Sequence, residues 1–138
     1  MNKEQLASLA KDAMEKAYSP YSGYKVGAAL LCKDGSVYTG CNVENASFSA
    51  TNCAERTAFF KAISEEKREF SEIAICGGKD GVIEGLFPPC GVCRQVMREF
   101  CEDDFEIHLL TNEGIETYTL GELLPVSFTP KNIKRTWK

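Results

Sequence analysis

The sequence predicts an α/β fold in which helices pack on a five-stranded mixed sheet. Stretches with apolar residues at the 3.6-residue period alternate with short apolar runs, giving the order α-β-β-α-β-α-β-β. The chain has 138 residues, 43% of them hydrophobic and 26% charged, which is enough to bury one core without a covalent staple. No repeat, low-complexity stretch or Pro/Gly-rich linker divides it, so residues 1–138 are read as one domain.

Each element has a local cause. Asn2 can cap a helix with Gln5 three residues on, and Leu6, Leu9, Ala10, Ala13, Met14 and Ala17 then fall on one stripe until Ser19-Pro20 stops it. A short loop (Tyr21, Ser22, Gly23, Tyr24) leads into an apolar run, Val26 to Cys32. Lys33-Asp34-Gly35 separates that run from Val37 to Asn42, so the pair reads as a hairpin. Cys53 to Ile63 carries Ala54, Ala58, Phe59 and Ala62 at helical spacing. Glu72 to Gly77 is a short strand, and Gly78 to Pro89 a Gly- and Pro-punctuated loop. Cys90 to Phe100 is a helix expected to turn Val92, Val96, Met97 and Phe100 inward, with Pro89 at its start. Glu106 to Leu110 and Ile115 to Thr119 form strands around the turn Asn112-Glu113-Gly114, and Gly121 to Leu124 makes a last helical turn. His108, the only histidine, lies opposite the face of Phe105, Ile107 and Leu109 and is read as structural.

Composition excludes several classes of function. No stretch approaches the roughly 18 apolar residues of a membrane span. The opening segment mixes Lys3, Glu4, Lys11, Asp12 and Glu15 among apolar positions, so no secretory signal is expected. The net charge is −4, and the basic run, Lys131, Lys134, Arg135 and Lys138 around Trp137, reads as a solvated end; polymeric nucleic acid is not an expected partner. Seven cysteines make an odd set. With no signal segment they point to the reducing cytoplasm, where thiols are buried, catalytic or metal-bound rather than paired.

Pro89-Cys90-Gly91-Val92-Cys93 places two thiols at i and i+3 on one side of a helix start, within reach of a single tetrahedral ion. The spacing alone also fits thiol redox or two buried cysteines. Cys53-Ala54-Glu55-Arg56 adds a third thiol at another helix start. Three ligands leave one zinc position open, as a catalytic site requires, and Glu55 supplies a general acid/base beside it. At about 100° per residue, positions 53 and 55 point to opposite sides of a regular helix, so Cys53 should lie at the helix end. Three thiolates on Zn²⁺ leave a net charge of −1, and Arg56 is the cation placed to donate to the sulfurs, with Arg94 read as a surface residue. Cys32, Cys41, Cys76 and Cys101 lie in or beside apolar segments and are read as small buried hydrophobes.

Cys-Ala-Glu-Arg followed by Pro-Cys-Gly-Val-Cys-Arg-Gln resembles the zinc signature of the cytidine deaminases, in their small three-cysteine form. Ser19-Pro20-Tyr21-Ser22, Val26-Gly27-Ala28-Ala29-Leu30, Gly40-Cys41-Asn42-Val43-Glu44-Asn45-Ala46 and Glu122-Leu123-Leu124-Pro125 extend the resemblance over most of the chain. It implies a three-layer fold, one Zn²⁺ per subunit on Cys53, Cys90 and Cys93, Glu55 as the catalytic residue, a homotetramer, and a role in pyrimidine salvage. It implies substrate binding by Asn42 and Glu44, which hold the ribose, and by Tyr24, Ala54 and Phe128, the last reaching a neighbouring subunit's base.

The ribose roles are chemically sensible. A carboxylate accepts from hydroxyls and an amide both donates and accepts, while a phosphate near Glu44 would meet like charge. A free nucleoside is therefore expected, deaminated as cytidine or 2′-deoxycytidine. Tyr24 stands where the family usually has Phe, Phe48 where it commonly has Tyr, and the 78–89 loop is longer than usual. Two rivals follow from the same residues: a deaminase of a cytosine antibiotic such as blasticidin S, disfavoured by Asn42-Val43-Glu44-Asn45, and a structural or redox module in which Cys76 or Cys101 completes a four-sulfur site.

Overall fold

A computed structural model describes residues 1–133. The basic end read from Lys134, Arg135, Trp137 and Lys138 lies outside the described residues. The elements are α1 (Lys3–Met14), β1 (Tyr24–Cys32), β2 (Val37–Cys41), α2 (Ala54–Ser64), β3 (Phe70–Lys79), α3 (Gly91–Phe100), β4 (Glu106–Thr111), β5 (Gly114–Thr119) and α4 (Leu120–Leu123). The strands form one sheet in the order β2-β1-β3-β4-β5. Only β3 and β4 run parallel, joined through α3; the other neighbouring pairs are antiparallel. The sheet is therefore mixed, as the order of elements predicts.

The alternation of β1 separates two layers of packing. Ala28 and Leu30 face Ala58, Phe59 and Ala62 of α2 and Met97 of α3, together with Ile73, Ile75, Ile107 and Leu109. Ala29, Ala74 and Cys76 face Leu6, Ala7, Ala10 and Met14 of α1 on the other side. Helices thus cover both faces in three layers, and α2 and α3 share one of them. Gly40 of β2 brings α2 close: a Cβ there would stand 2.5 Å from the Ala54 carbonyl oxygen and 2.6 Å from the Ala58 nitrogen.

Several boundaries differ from the sequence reading for identifiable reasons. Helix α1 stops at Met14 rather than Ala17, because the chain is recruited into extended pairing: Tyr18 N donates to Asn42 O and Glu44 N to Tyr18 O. β3 continues through Gly78 and Lys79, which read as loop but pair with Lys25 and Tyr24 of β1. Val92 is 58% exposed rather than inward, since the buried stripe of α3 runs through Cys93 and Met97 and leaves Val92 on the outer face. Cys41 is half-buried, its thiol directed at the Lys16 carbonyl, whereas Cys32, Cys76 and Cys101 are buried. His108 is held on both sides, Nδ1 against Thr117 Oγ1 at 2.8 Å and Nε2 against Glu72 Oε1 at 2.7 Å, in keeping with a structural role.

Candidate metal centre and adjoining pocket

Two helix starts meet on one side of the sheet. Cys53 is the N-cap of α2, in extended conformation, and Cys90 the N-cap of α3. Cys90 Sγ accepts from Cys93 N at 3.5 Å, so a thiol does the capping that Ser or Asp would ordinarily do. Because Cys53 precedes the first helical residue, its sulfur is free of the helix register and Glu55 can approach the same point.

The Cys53–Cys90 and Cys90–Cys93 sulfur separations are 3.9 and 3.5 Å. Zn–S bonds of about 2.3 Å at tetrahedral angles require about 3.8 Å between sulfurs. The three sulfurs thus fit one face of a zinc tetrahedron. Among the described residues, Cys76 and Cys101 do not join this group: Cys76 faces α1 across the sheet, and Cys101 caps the far end of α3. The four-sulfur alternative is therefore wrong; the sheet and the length of α3 keep the other thiols away.

The electrostatics suit a metal and an acid/base group. The Cys53 thiol is drawn down to about 5 by the hydrogen bond from Cys93 and by Arg56, against the opposing effect of burial. Cys93 moves the other way, through the same shared hydrogen bond and its burial. Arg56 Nη2 lies 3.1 Å from Cys53 Sγ; burial disfavours its charge, but hydrogen bonds to the Cys53 and Cys93 sulfurs outweigh that. Arg94 turns elsewhere, donating to the carbonyls of Pro89 at 2.8 Å and Leu123 at 2.7 Å. Glu55 is 4% exposed, and burial pushes its carboxyl up to about 7, aided by the charge on Cys53 and opposed by Arg56. A carboxyl tuned near neutrality can both take and give a proton.

A strip of extended chain lies beside the metal centre. Val43 and Asn52 exchange two backbone hydrogen bonds of 2.9 Å, so the segment bearing Asn42 and Glu44 runs next to the one leading into Cys53. Asn42 is buried, its Oδ1 accepting from Val26 N and its Nδ2 donating to Tyr24 O, each at 2.8 Å. Glu44 Oε1 accepts from Tyr21 N at 2.9 Å and Ser22 N at 3.1 Å, and Oε2 accepts from the Ser22 hydroxyl. These bonds, led by the Ser22 hydroxyl, hold the Glu44 carboxyl below the usual range, so it stays an anion. An open depression of about 350 Å³ adjoins it, lined by Tyr21, Ser22, Glu44, Asn45, Phe48 and Thr51.

Residues 1–109 match the family model described as the cytidine and deoxycytidylate deaminase zinc-binding region. The chain belongs to that deaminase family. It is 46% identical over 134 residues to a cytidine deaminase of Sporosarcina psychrophila, covering 96% of both chains. A crystal structure of cytidine deaminase from Burkholderia pseudomallei superposes with a TM-score of 0.86 at 46% identity, over 93% of this chain and all of that one. Similarity to a blasticidin-S deaminase of Bacillus cereus is lower, 29% over 132 residues covering 91% and 94% of the two chains.

Within this deaminase chain the remaining predicted site residues are placed unequally. Tyr24 is 44% exposed at the start of β1, on the α2/α3 side. Ala54 is completely buried at the start of α2, its carbonyl oxygen close to Gly40 of β2. Phe128 is 59% exposed on its own chain, while its backbone oxygen accepts from Gln95 Nε2 of α3 at 2.9 Å. The residue that sequence reasoning left without a role is Ser22, which fastens Glu44; its place in Ser19-Pro20-Tyr21-Ser22 was the available signal.

Proposed function

We propose that the protein hydrolyses cytidine and 2′-deoxycytidine to uridine and 2′-deoxyuridine with release of ammonia, in a cytoplasmic pyrimidine-salvage role and as a homotetramer. The observation that carries the reading is the buried Glu55 carboxyl beside three sulfurs at tetrahedral spacing with no fourth ligand among the described residues. Cys53, Cys90 and Cys93 would hold zinc, which when bound supplies a Lewis acid that lowers the pKa of water from about 15.7 toward neutrality.

The rest is done by the chain's own groups. Glu55 takes one proton of the water that attacks C4 of the base and delivers it to N3, then takes the proton of the new C4 hydroxyl and delivers it to the amino group as the C4–N bond breaks, leaving uridine and ammonia. The rise of its carboxyl to about 7 lets it alternate between these states near neutral pH. Arg56 offsets the excess negative charge of three thiolates, which would otherwise weaken Lewis acidity. Asn42 and Glu44 receive the ribose. Both are already fastened to the 21–26 segment, so the pocket edge is formed before substrate arrives and little ordering remains to be done on binding. The anionic Glu44 favours a nucleoside over a nucleotide.

The lower identity to the blasticidin-S deaminase supports cytidine as the preferred substrate, and a competition assay with both compounds tests the choice. The decisive experiment is Glu55→Gln, followed by absorbance loss at the cytosine band. The variant is expected to retain zinc while losing at least about 100-fold in kcat. Near wild-type hydrolysis by Glu55→Gln would refute the mechanism.

A further inference from the structure

The connection from β3 to α3, residues 80–90, is folded back on the sheet by close contacts. A Cβ on Gly78 would come within 1.8 Å of the Val82 carbonyl oxygen, and one on Gly77 within 3.0 Å of Phe87 Cδ2. Glycine at 77 therefore leaves a seat for the Phe87 ring, which is half-buried against the α2/α3 side of the sheet. That ring lies 6.1 Å from the ring of Tyr24 with an interplanar angle of 34°, within the range of favourable aromatic packing.

The end of β3 secures the backbone around Tyr24. Lys79 Nζ donates to Ser22 O at 2.9 Å and stands 5.3 Å from the Tyr24 ring centroid, and Asp80 N donates to Gly23 O at 2.7 Å. Backbone position is thus fixed from one side, but the Tyr24 ring itself is 44% exposed. A half-exposed ring left to itself exchanges rotamers, and binding must then meet the entropy of ordering it.

We propose that Phe87 is a positioning residue for nucleoside binding: seated on Gly77 three residues before Cys90, its ring holds the Tyr24 ring in place to pack on the substrate. This rests on the reading of Tyr24 as a substrate contact. Phe87 acts through Tyr24 and touches no reacting atom, so its removal should change ground-state and transition-state binding equally, raising KM and sparing kcat.

The test is steady-state cytidine hydrolysis by the zinc-loaded full chain as wild type, Tyr24→Ala, Phe87→Ala, Phe87→Leu and the double alanine variant, with zinc content measured for each. Phe87→Ala is expected to raise KM roughly three- to tenfold with kcat within about twofold. Phe87→Leu, which keeps apolar volume, is expected to recover part of the loss; should the alanine variant fail to fold, it carries the test with a smaller rise in KM. In the Tyr24→Ala background, Phe87→Ala should add nothing. If Tyr24→Ala raises KM and Phe87→Ala does not, the proposal is overturned, as it is by multiplicative effects in the double variant or by loss of zinc in Phe87→Ala. An unchanged KM in Tyr24→Ala overturns the underlying reading of Tyr24 instead.

Discussion

Two arginines flank the sulfur cluster, and their different hydrogen bonds assign them different work. Arg56 sends Nη2 to Cys53 Sγ at 3.1 Å, whereas Arg94 closes the Pro89 and Leu123 carbonyls. Arg56→Gln should therefore loosen zinc about 10- to 100-fold in competition with a chromophoric chelator, since a partner that donates to a ligand tunes the metal's hold. Arg94→Ala should instead lower the thermal midpoint, by freeing the α4 end from α3. Unaltered zinc affinity in Arg56→Gln would show that the sulfur charge needs no such partner. Arg56 follows Cys53 by three positions and Arg94 directly follows Cys93. The sequence reading set Arg94 aside as a surface residue, and the structure shows that it instead ties the start of α3 to the end of α4.

At the scale of elements, the metal centre depends on how closely α2 approaches β2. Gly40 permits that approach, because any Cβ there would meet backbone atoms of Ala54 and Ala58 that cannot move independently of the helix. Gly40→Ala is expected to destabilise the protein by about 1–3 kcal/mol in denaturant unfolding and to reduce zinc content, since Ala54 directly follows Cys53. Gly91→Ala is the control: it lies between Cys90 and Cys93, yet a Cβ there has open space and should leave both measurements unchanged. Zinc loss in the control but not in Gly40→Ala would show that local spacing, not helix approach, governs the site. The helices were legible in the sequence through their stripes and caps. The full length of β3 was not, because Gly78 and Lys79 open a Gly- and Pro-punctuated stretch and are strand only by virtue of pairing with Lys25 and Tyr24.

For the whole molecule, the exposed aromatic and apolar residues bear on assembly. Tyr18, Val43, Phe48 and Phe128 are 56%, 46%, 76% and 59% exposed on the single chain, each a large side chain with apolar surface left to water. Sedimentation equilibrium is expected to give about four times the 15.3 kDa chain mass, and a species of one chain mass at micromolar concentration would refute the tetramer. The exposure of Phe128 in isolation is what a residue serving a neighbouring subunit requires, and the same measurement on Phe128→Ala would report its share in assembly.

By itself the sequence determined which chemistry is available: two thiols three positions apart at a helix start, a carboxyl beside a third thiol, and an amide and a carboxylate at the close of a hairpin. These are local patterns, and hydrophobic period, caps and ligand spacing are read within a few residues. Tertiary structure alone decided which groups meet. Cys53 and Cys90 are 37 positions apart and come to 3.9 Å only because the strand order sets α2 and α3 on one face of the sheet. The same packing sends Cys76 to the opposite face, buries Glu55 enough to bring its carboxyl to about 7, and turns Phe87 toward Tyr24. Burial and long-range distance depend on the sum of all contacts, and no short stretch of chain encodes that sum.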